Sequence, residues 1–196
     1  MTTDNFKKHT STKVLQRFLI NRFFNTLLGE LALIKPATIL DVGCGEGFTL
    51  ERLRKAGIGE KTIGVDFLER AIKIGKEVHP HLDLRQGNVY HLDFPDNSFD
   101  YVLCLEVLEH LEHPEKALAE LRRVAKMGCI ISVPREPLFR LANFVRGKNL
   151  SRWGNDIEHI QHWSSTAIAR LVSGYFKVNQ IRKPFPWTII VGKKYE

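Results

Sequence analysis

The chain has 196 residues, of which 43% are hydrophobic and 26% charged, proportions that fit a folded globular protein with a substantial core and exclude a disordered or fibrous chain. No apolar run approaches the roughly eighteen residues of a membrane span, and the N-terminus is polar where a signal peptide is apolar, so a cytoplasmic protein is expected. The net charge of +7 is uneven: residues 1–36 hold six Lys/Arg against two Asp/Glu, residues 37–133 twelve against sixteen, and residues 134–196 eleven against four. Basic flanks of this kind suit an anionic substrate, RNA or a membrane surface, and equally a solvated face.

In chain order, residues 1–10 read as loose and polar. Val14, Leu15, Phe18, Leu19, Phe23, Leu27, Leu28 and Leu31 then form a stripe with helical spacing, ended by Lys35-Pro36, so residues 1–36 make an N-terminal helical segment. A first strand is predicted over Ala37–Val42, a helix over Phe48–Ala56 closed by Gly57, a second strand over Thr62–Val65, and a helix over Leu68–Val78 stopped by Pro80. A short third strand follows over Leu82–Gln86, then a turn at Pro95-Asp96-Asn97-Ser98 and a fourth strand over Phe99–Leu105. Pro114 opens a helix through Lys126, and Ile130–Val133 is the fifth strand, cut off by Pro134. A helix over Ser164–Ser173 precedes an antiparallel pair, Val178–Arg182 and Thr188–Gly192. Alternating strands and helices define an α/β fold with a doubly wound, Rossmann-like sheet, whose ligands sit at the carboxyl ends of the strands. No repeat or boundary divides the chain, so one domain over 1–196 is expected, with residues 134–163 as an insertion on the substrate side.

The chemistry concentrates in Ile39-Leu40-Asp41-Val42-Gly43-Cys44-Gly45-Glu46-Gly47, an apolar strand running into a loop with glycine at every second position. Such a backbone closes tightly around a nucleotide-like ligand. Asp66, nineteen residues past Gly47, ends the second strand where a βαβ unit sets a carboxylate against a ribose. The dinucleotide pattern G-x-G-x-x-G needs glycine at residue 48, which is Phe. Cys44, Cys104 and Cys129 form no CxxC pair and read as small buried hydrophobes.

In this loop the chain resembles the class I S-adenosylmethionine-dependent methyltransferases, of the type 11-like group, whose first motif is D-x-G-x-G-x-G after an apolar strand. The resemblance continues through Gly64-Val65-Asp66, Gly87-Asn88-Val89, Phe94–Asp100 and Glu106-Val107-Leu108-Glu109-His110-Leu111, five landmarks in the family's order across about residues 37–133. It implies a seven-stranded, mostly parallel sheet with an antiparallel C-terminal strand and helices on both faces. It implies S-adenosylmethionine as cofactor and S-adenosylhomocysteine as product. By the same resemblance Asp41, Gly43, Cys44 and Gly45 border the methionine portion, Asp66 accepts from both ribose hydroxyls, Phe67 lies along the adenine, and Asn88 and Val89 meet its edge. Leu105 and Glu106 line the route to the methyl group. Many relatives carry Asp in place of Asn88, but an amide oxygen can accept the same hydrogen bond. Cys104-Leu105-Glu106-Val107 replaces the Asp/Asn-Pro-Pro-Tyr of enzymes that methylate exocyclic amines of bases, which disfavours that activity.

Methyl transfer from a sulfonium is an in-line displacement, and a hydroxyl acceptor gains from a base or a metal. Glu106, Glu109 and His110 fall at i, i+3 and i+4, one face of a helical turn, and His159 and His162 lie beyond the fifth strand. Glu106, His110 and His162 are therefore the catalytic candidates. A divalent metal on Glu106, Glu109, His110 and His159, resembling small-RNA 2′-O-methyltransferases and ubiquinone-pathway O-methyltransferases, is the lesser alternative to a plain substrate pocket. In the insertion, Arg135, Arg140, Arg146, Lys148 and Arg152 alternate with Leu138, Phe139, Leu141, Phe144 and Trp153, which suits an anionic or amphipathic small-molecule acceptor. The leading expectation is methyl transfer to such a molecule, O-directed, by a monomer or homodimer. The alternatives are a metal-dependent RNA 2′-O-methyltransferase and a cofactor-binding partner protein without catalysis.

Overall fold

The computed structural model describes residues 3–136 and 160–195. Its strands are β1 (Thr38–Val42), β2 (Lys61–Asp66), β3 (Asp83–Gln86), β4 (Phe99–Leu105), β5 (Ala125–Pro134), β6 (Phe176–Arg182) and β7 (Trp187–Lys194). They form one sheet in the order β3-β2-β1-β4-β5-β7-β6, parallel from β3 to β5, with β7 antiparallel to both neighbours. This is the expected seven-stranded, doubly wound sheet with an antiparallel C-terminal strand. The strand order reverses between β1 and β4, so the carboxyl ends of these two strands flank the crevice where open α/β sheets bind ligands.

The alternation of side chains along each strand builds two cores. Leu40, Val42, Val102, Cys104, Ile131 and Val133 face helices α5 (Pro114–Val124) and α6 (Ser165–Ser173). On the other side Ile39, Tyr101, Leu103 and Ile130 face α2 (Val14–Ile34), α3 (Phe48–Lys55) and α4 (Glu69–Val78). The second strand-bearing face is also the one to which Asp41 belongs, two residues from Ile39. Lys35 adopts the left-handed conformation (φ 55°) that ends α2, and Pro114 stands at the start of α5.

Two boundaries move for a tertiary reason. The helix expected through Lys126 stops at Val124, because Ala125 pairs with Phe99 and β5 starts there, far ahead of Ile130. The segment expected to be loose instead contains α1 (Asp4–His9), capped by the Thr3 hydroxyl, which accepts from the Phe6 amide at 3.0 Å. Phe6 and His9 pack on Phe48 with ring centroids at 5.7 and 4.7 Å. A six-residue helix carries too little periodicity to announce itself, and its partner lies on α3.

Candidate active site

The glycine loop leaves β1 and is pinned to β2: the Gly43 and Cys44 amides both donate to the Val65 carbonyl, at 2.7 and 3.1 Å. Gly43, Gly45 and Gly47 all have positive φ, at 80°, 55° and 83°, a region that side chains rarely adopt. At Gly43 a Cβ would also stand 2.2 Å from Cγ2 of Val107, so the strand β4 loop closes directly over the glycine. Cys44 is buried, and burial pushes its thiol up, away from any nucleophilic role.

Two carboxylates meet at this loop. Asp66 accepts from the Gly45 amide through Oδ2 and from the Leu68 amide through Oδ1, both at 2.8 Å, so it ties the loop to the start of α4. Burial raises its pKa, against the lowering effect of those two amides. A carboxylate offers about four acceptor sites, so both oxygens retain a lone pair for further donors. Asp41 is 1% exposed and its Oδ2 has no hydrogen-bond partner among the described residues. Burial, and then the charge of Asp66, push its pKa up to about 7. An unsatisfied buried acceptor of this kind is costly and is a place for a cationic donor.

Around them lie the other residues expected to hold cofactor. Phe67 follows Asp66 and is 70% exposed, a free aromatic face. Asn88 is exposed; its Oδ1 accepts from the Tyr90 amide at 3.0 Å, which shapes the turn that follows Gly87. Val89 is partly buried against the α5-side core, and Leu105 against the α2-side core at the end of β4.

The catalytic candidates are placed differently from their sequence spacing. Glu106 has a left-handed backbone (φ 59°) and lies before the short 3-10 turn Leu108–His110, so Glu106, Glu109 and His110 do not share one helical face. The Glu106 carboxylate accepts from Ser132 Oγ at 2.9 Å and from Trp187 Nε1 at 2.5 Å, joining β4 to β5 and β7. Glu109 is 1% exposed, and its carbonyl accepts from the amides of Ile160 and Gln161 at 2.9 and 3.0 Å. That pair of bonds brings the segment of His162 beside the turn of His110. His162 Nδ1 lies 3.8 Å from Glu136 Oε1, just past β5. Among the described residues no group of three or more His, Cys, Asp or Glu side chains is arranged to hold a metal. His159 and the insertion residues Leu138, Phe139, Arg140, Leu141, Phe144, Arg146, Lys148, Arg152 and Trp153 lie outside the described residues.

Several site residues carry no sequence signal. Glu46, fully buried in the loop, accepts from Thr3 Oγ1 and, at 2.5 Å, from Asn5 Nδ2, so α1 sits on the glycine loop. Trp187, Ser132 and Glu136 likewise reach the site only through the sheet.

The fold and this loop define a nucleotide-cofactor-binding α/β protein, and comparison with known proteins narrows the class. A family model described as a methyltransferase domain matches residues 40–133. A demethylmenaquinone methyltransferase of Renibacterium salmoninarum is 32% identical over 122 residues, 62% of this chain and 51% of the relative. A ubiquinone biosynthesis O-methyltransferase of Hahella chejuensis is 32% identical over 114 residues, 56% of this chain and 47% of the relative. The chain thus spans about half the length of these curated relatives. The PH0226 protein of Pyrococcus horikoshii has the same fold, with a TM-score of 0.77 at 18% identity over 100% of both chains. Residues 40–133 thus match the methyltransferase-domain family, and these likenesses support a class I S-adenosylmethionine-dependent methyltransferase, a family whose cofactor is S-adenosylmethionine.

Proposed function

We propose that the protein transfers the methyl group of S-adenosylmethionine to a hydroxyl of a small, amphipathic or anionic acceptor. The observation that carries this reading is the glycine loop with its two carboxylates. Asp41 Oδ2 is a buried acceptor without a donor among the described residues and fits the ammonium of the methionine portion. Asp66 faces the loop with spare acceptor sites for the ribose hydroxyls, and Phe67 offers a face to adenine. Gly43, Cys44 and Gly45 border the methionine portion, and Asn88 and Val89 the adenine edge. When bound, the cofactor supplies an electrophilic methyl group and leaves as S-adenosylhomocysteine.

The chain's own residues then align the acceptor, exclude water and take a proton. His110 and His162 are the bases: as the acceptor oxygen bonds to the methyl carbon, the hydroxyl proton passes to an imidazole nitrogen. Glu136 Oε1 lies 3.8 Å from His162 Nδ1, beside that imidazole. Glu106, held by Ser132 and Trp187, forms the wall between β4 and β5. The name of one relative, an O-methyltransferase of ubiquinone biosynthesis, supports a small-molecule hydroxyl as acceptor.

The test is methyl incorporation from labelled cofactor into a panel of hydroxylated aromatic acceptors and into RNA, with and without chelator. Label in the organic extract that persists with chelator is expected. Label in RNA that a chelator abolishes would move the assignment to an RNA 2′-O-methyltransferase, and absence of cofactor binding in calorimetry would sink the enzymatic reading. His110→Ala and His162→Ala should each lower turnover about a hundredfold, the scale of general-base catalysis, with cofactor affinity within about twofold of the parent.

A further inference from the structure

A cleft of about 370 Å³ opens where α1 meets α2, and His9, Ser11, Thr12, Arg17, Asn21 and Arg52 are among the residues that line it. Among the described residues its lining holds no carboxylate. The Arg52 guanidinium lies over the Phe24 ring, 4.3 Å from Cζ to centroid, which fixes its position. Neither Arg17 nor Arg52 has an ion-pair partner among the described residues, although the nearby Glu51 gathers Arg54, Lys55 and His81. Burial lowers the pKa of Arg52, so its charge stands partly desolvated, with no carboxylate paired to it among the described residues. Ser11 Oγ accepts from the Lys13 amide at 3.3 Å and still has its own proton to donate. Two guanidiniums and hydroxyl donors around a concave polar space suit a tetrahedral oxyanion such as a phosphate.

The helix surface beside the cleft is apolar and turned outward. Val14 is 83% exposed, Leu15 60% and Phe18 59%. Val14 and Phe18 lie one turn apart on an arc of α2 that its core residues Ile20, Phe23, Phe24 and Leu27 do not occupy, and Arg17 and Asn21 form the next arc, facing the cleft. Lys13 and Arg22 are exposed at the margins. A soluble phosphate ester explains the arginines but leaves three large apolar side chains in water. A phosphate with acyl chains beside it explains both.

We propose that the first two turns of α2 dock this protein on an anionic phospholipid surface, with Val14, Leu15 and Phe18 entering the interface and the Arg17/Arg52 cleft taking a headgroup phosphate. Such a helix end carries both contributions that make peripheral attachment stable, buried apolar area and attraction to anionic lipid. The inference goes beyond the methyl-transfer reading and does not depend on it.

The test is co-sedimentation of the full chain, without cofactor, with phosphatidylcholine vesicles that contain or lack phosphatidylglycerol. Binding at least about tenfold stronger to the anionic vesicles is expected, falling as salt screens the charges. Arg17→Gln and Phe18→Ser, both at exposed positions, should each weaken it about tenfold, while Arg85→Gln, whose guanidinium pairs with Asp83 elsewhere, should not. Parent-like binding by both variants overturns the proposal, as does equal binding to both vesicle types. Calorimetric binding of glycerol 3-phosphate by a protein that ignores vesicles would make the cleft a soluble phosphoester site and overturn it. So would dimerisation lost in Phe18→Ser without vesicle binding, which would make a second copy the cover of this face. Because no methyl transfer is measured, each outcome leaves the enzymatic assignment where it stood.

Discussion

Asp66 does two things at once on the scale of a single residue. Its oxygens hold the Gly45 and Leu68 amides, and the same carboxylate is the proposed ribose acceptor. Asp66→Ala should therefore reduce cofactor affinity by at least about tenfold, since a hydrogen bond to a charged group contributes about 1.5–3 kcal/mol. Calorimetry checks this, and unchanged affinity with the fold intact would refute the ribose assignment. Asp41 makes a prediction in pH. Its folded-state pKa of about 7 lies above the ordinary 3.8, so the native chain binds a proton that the unfolded chain releases. Stability contributed by that proton is complete below about pH 4 and is lost as pH rises to about 7, a loss on the order of 4 kcal/mol at most. Asp41→Asn should raise the melting temperature of the cofactor-free protein at pH 8 and have little effect near pH 4. In the proposed site the cofactor's ammonium favours the ionised carboxylate, so parent affinity should rise between pH 6 and 8 relative to that of Asp41→Asn. These two carboxylates were both legible in the sequence, because each ends a strand at a set distance from the glycines. The engagement of Asp66 with the loop was not, because it depends on β1 and β2 lying side by side.

Among the elements, α1 and the glycine loop form a unit. Glu46 is fully buried in the loop, and Thr3 and Asn5, whose side chains donate to its carboxylate, both come from the first residues of α1 and its cap. Removing one donor from a buried carboxylate leaves charge that neither water nor protein stabilises. Asn5→Ala should cost about 1–3 kcal/mol in denaturant unfolding. It should also strip exchange protection from the amides that close α1, Lys7 and Thr10. Retained protection in the variant would mean that Phe6 and His9 on Phe48 suffice to seat the helix. The other elements divide by how local their causes are. Helix α2 was readable from its stripe and its Lys35-Pro36 stop, and β4 from its apolar run. The early start of β5 was not, since Lys126 and Met127 are exposed and only pairing with β4 extends them. The same holds for Glu106: its spacing to Glu109 and His110 promised one helical face, but a left-handed backbone and the pull of Ser132 and Trp187 take it elsewhere.

At the scale of the whole molecule, the sheet couples the two cores and the site. Ile131 on β5 is fully buried in the α5-side core, paired with Cys104 on one side and Ile190 on the other. Ile131→Ala should destabilise by about 2–5 kcal/mol. Far-ultraviolet and tryptophan signals should move to the same lower midpoint, since Trp163 packs on the α5-side core and Trp187 lies in the opposite one. Two separate transitions would show that the cores unfold independently. A longer tie, Arg182 Nε donating to Glu30 Oε1 at 2.6 Å, joins β6 to α2 across nearly the full chain. The active-site crevice inherits its position from this arrangement, at the reversal of strand order between β1 and β4.

The sequence by itself determined the alternation of elements, the glycine loop with Asp41 and Asp66, and the methyltransferase family. These rest on local spacing, which backbone geometry reads within a strand, a turn or a helix. The tertiary structure alone decided that α1 covers the loop through Glu46, that Glu106 answers to Ser132 and Trp187, and that Arg17 and Arg52 share a cleft beside an exposed apolar arc. Each of those depends on groups far apart in the chain, and no periodicity records a contact that forms only when the sheet has assembled.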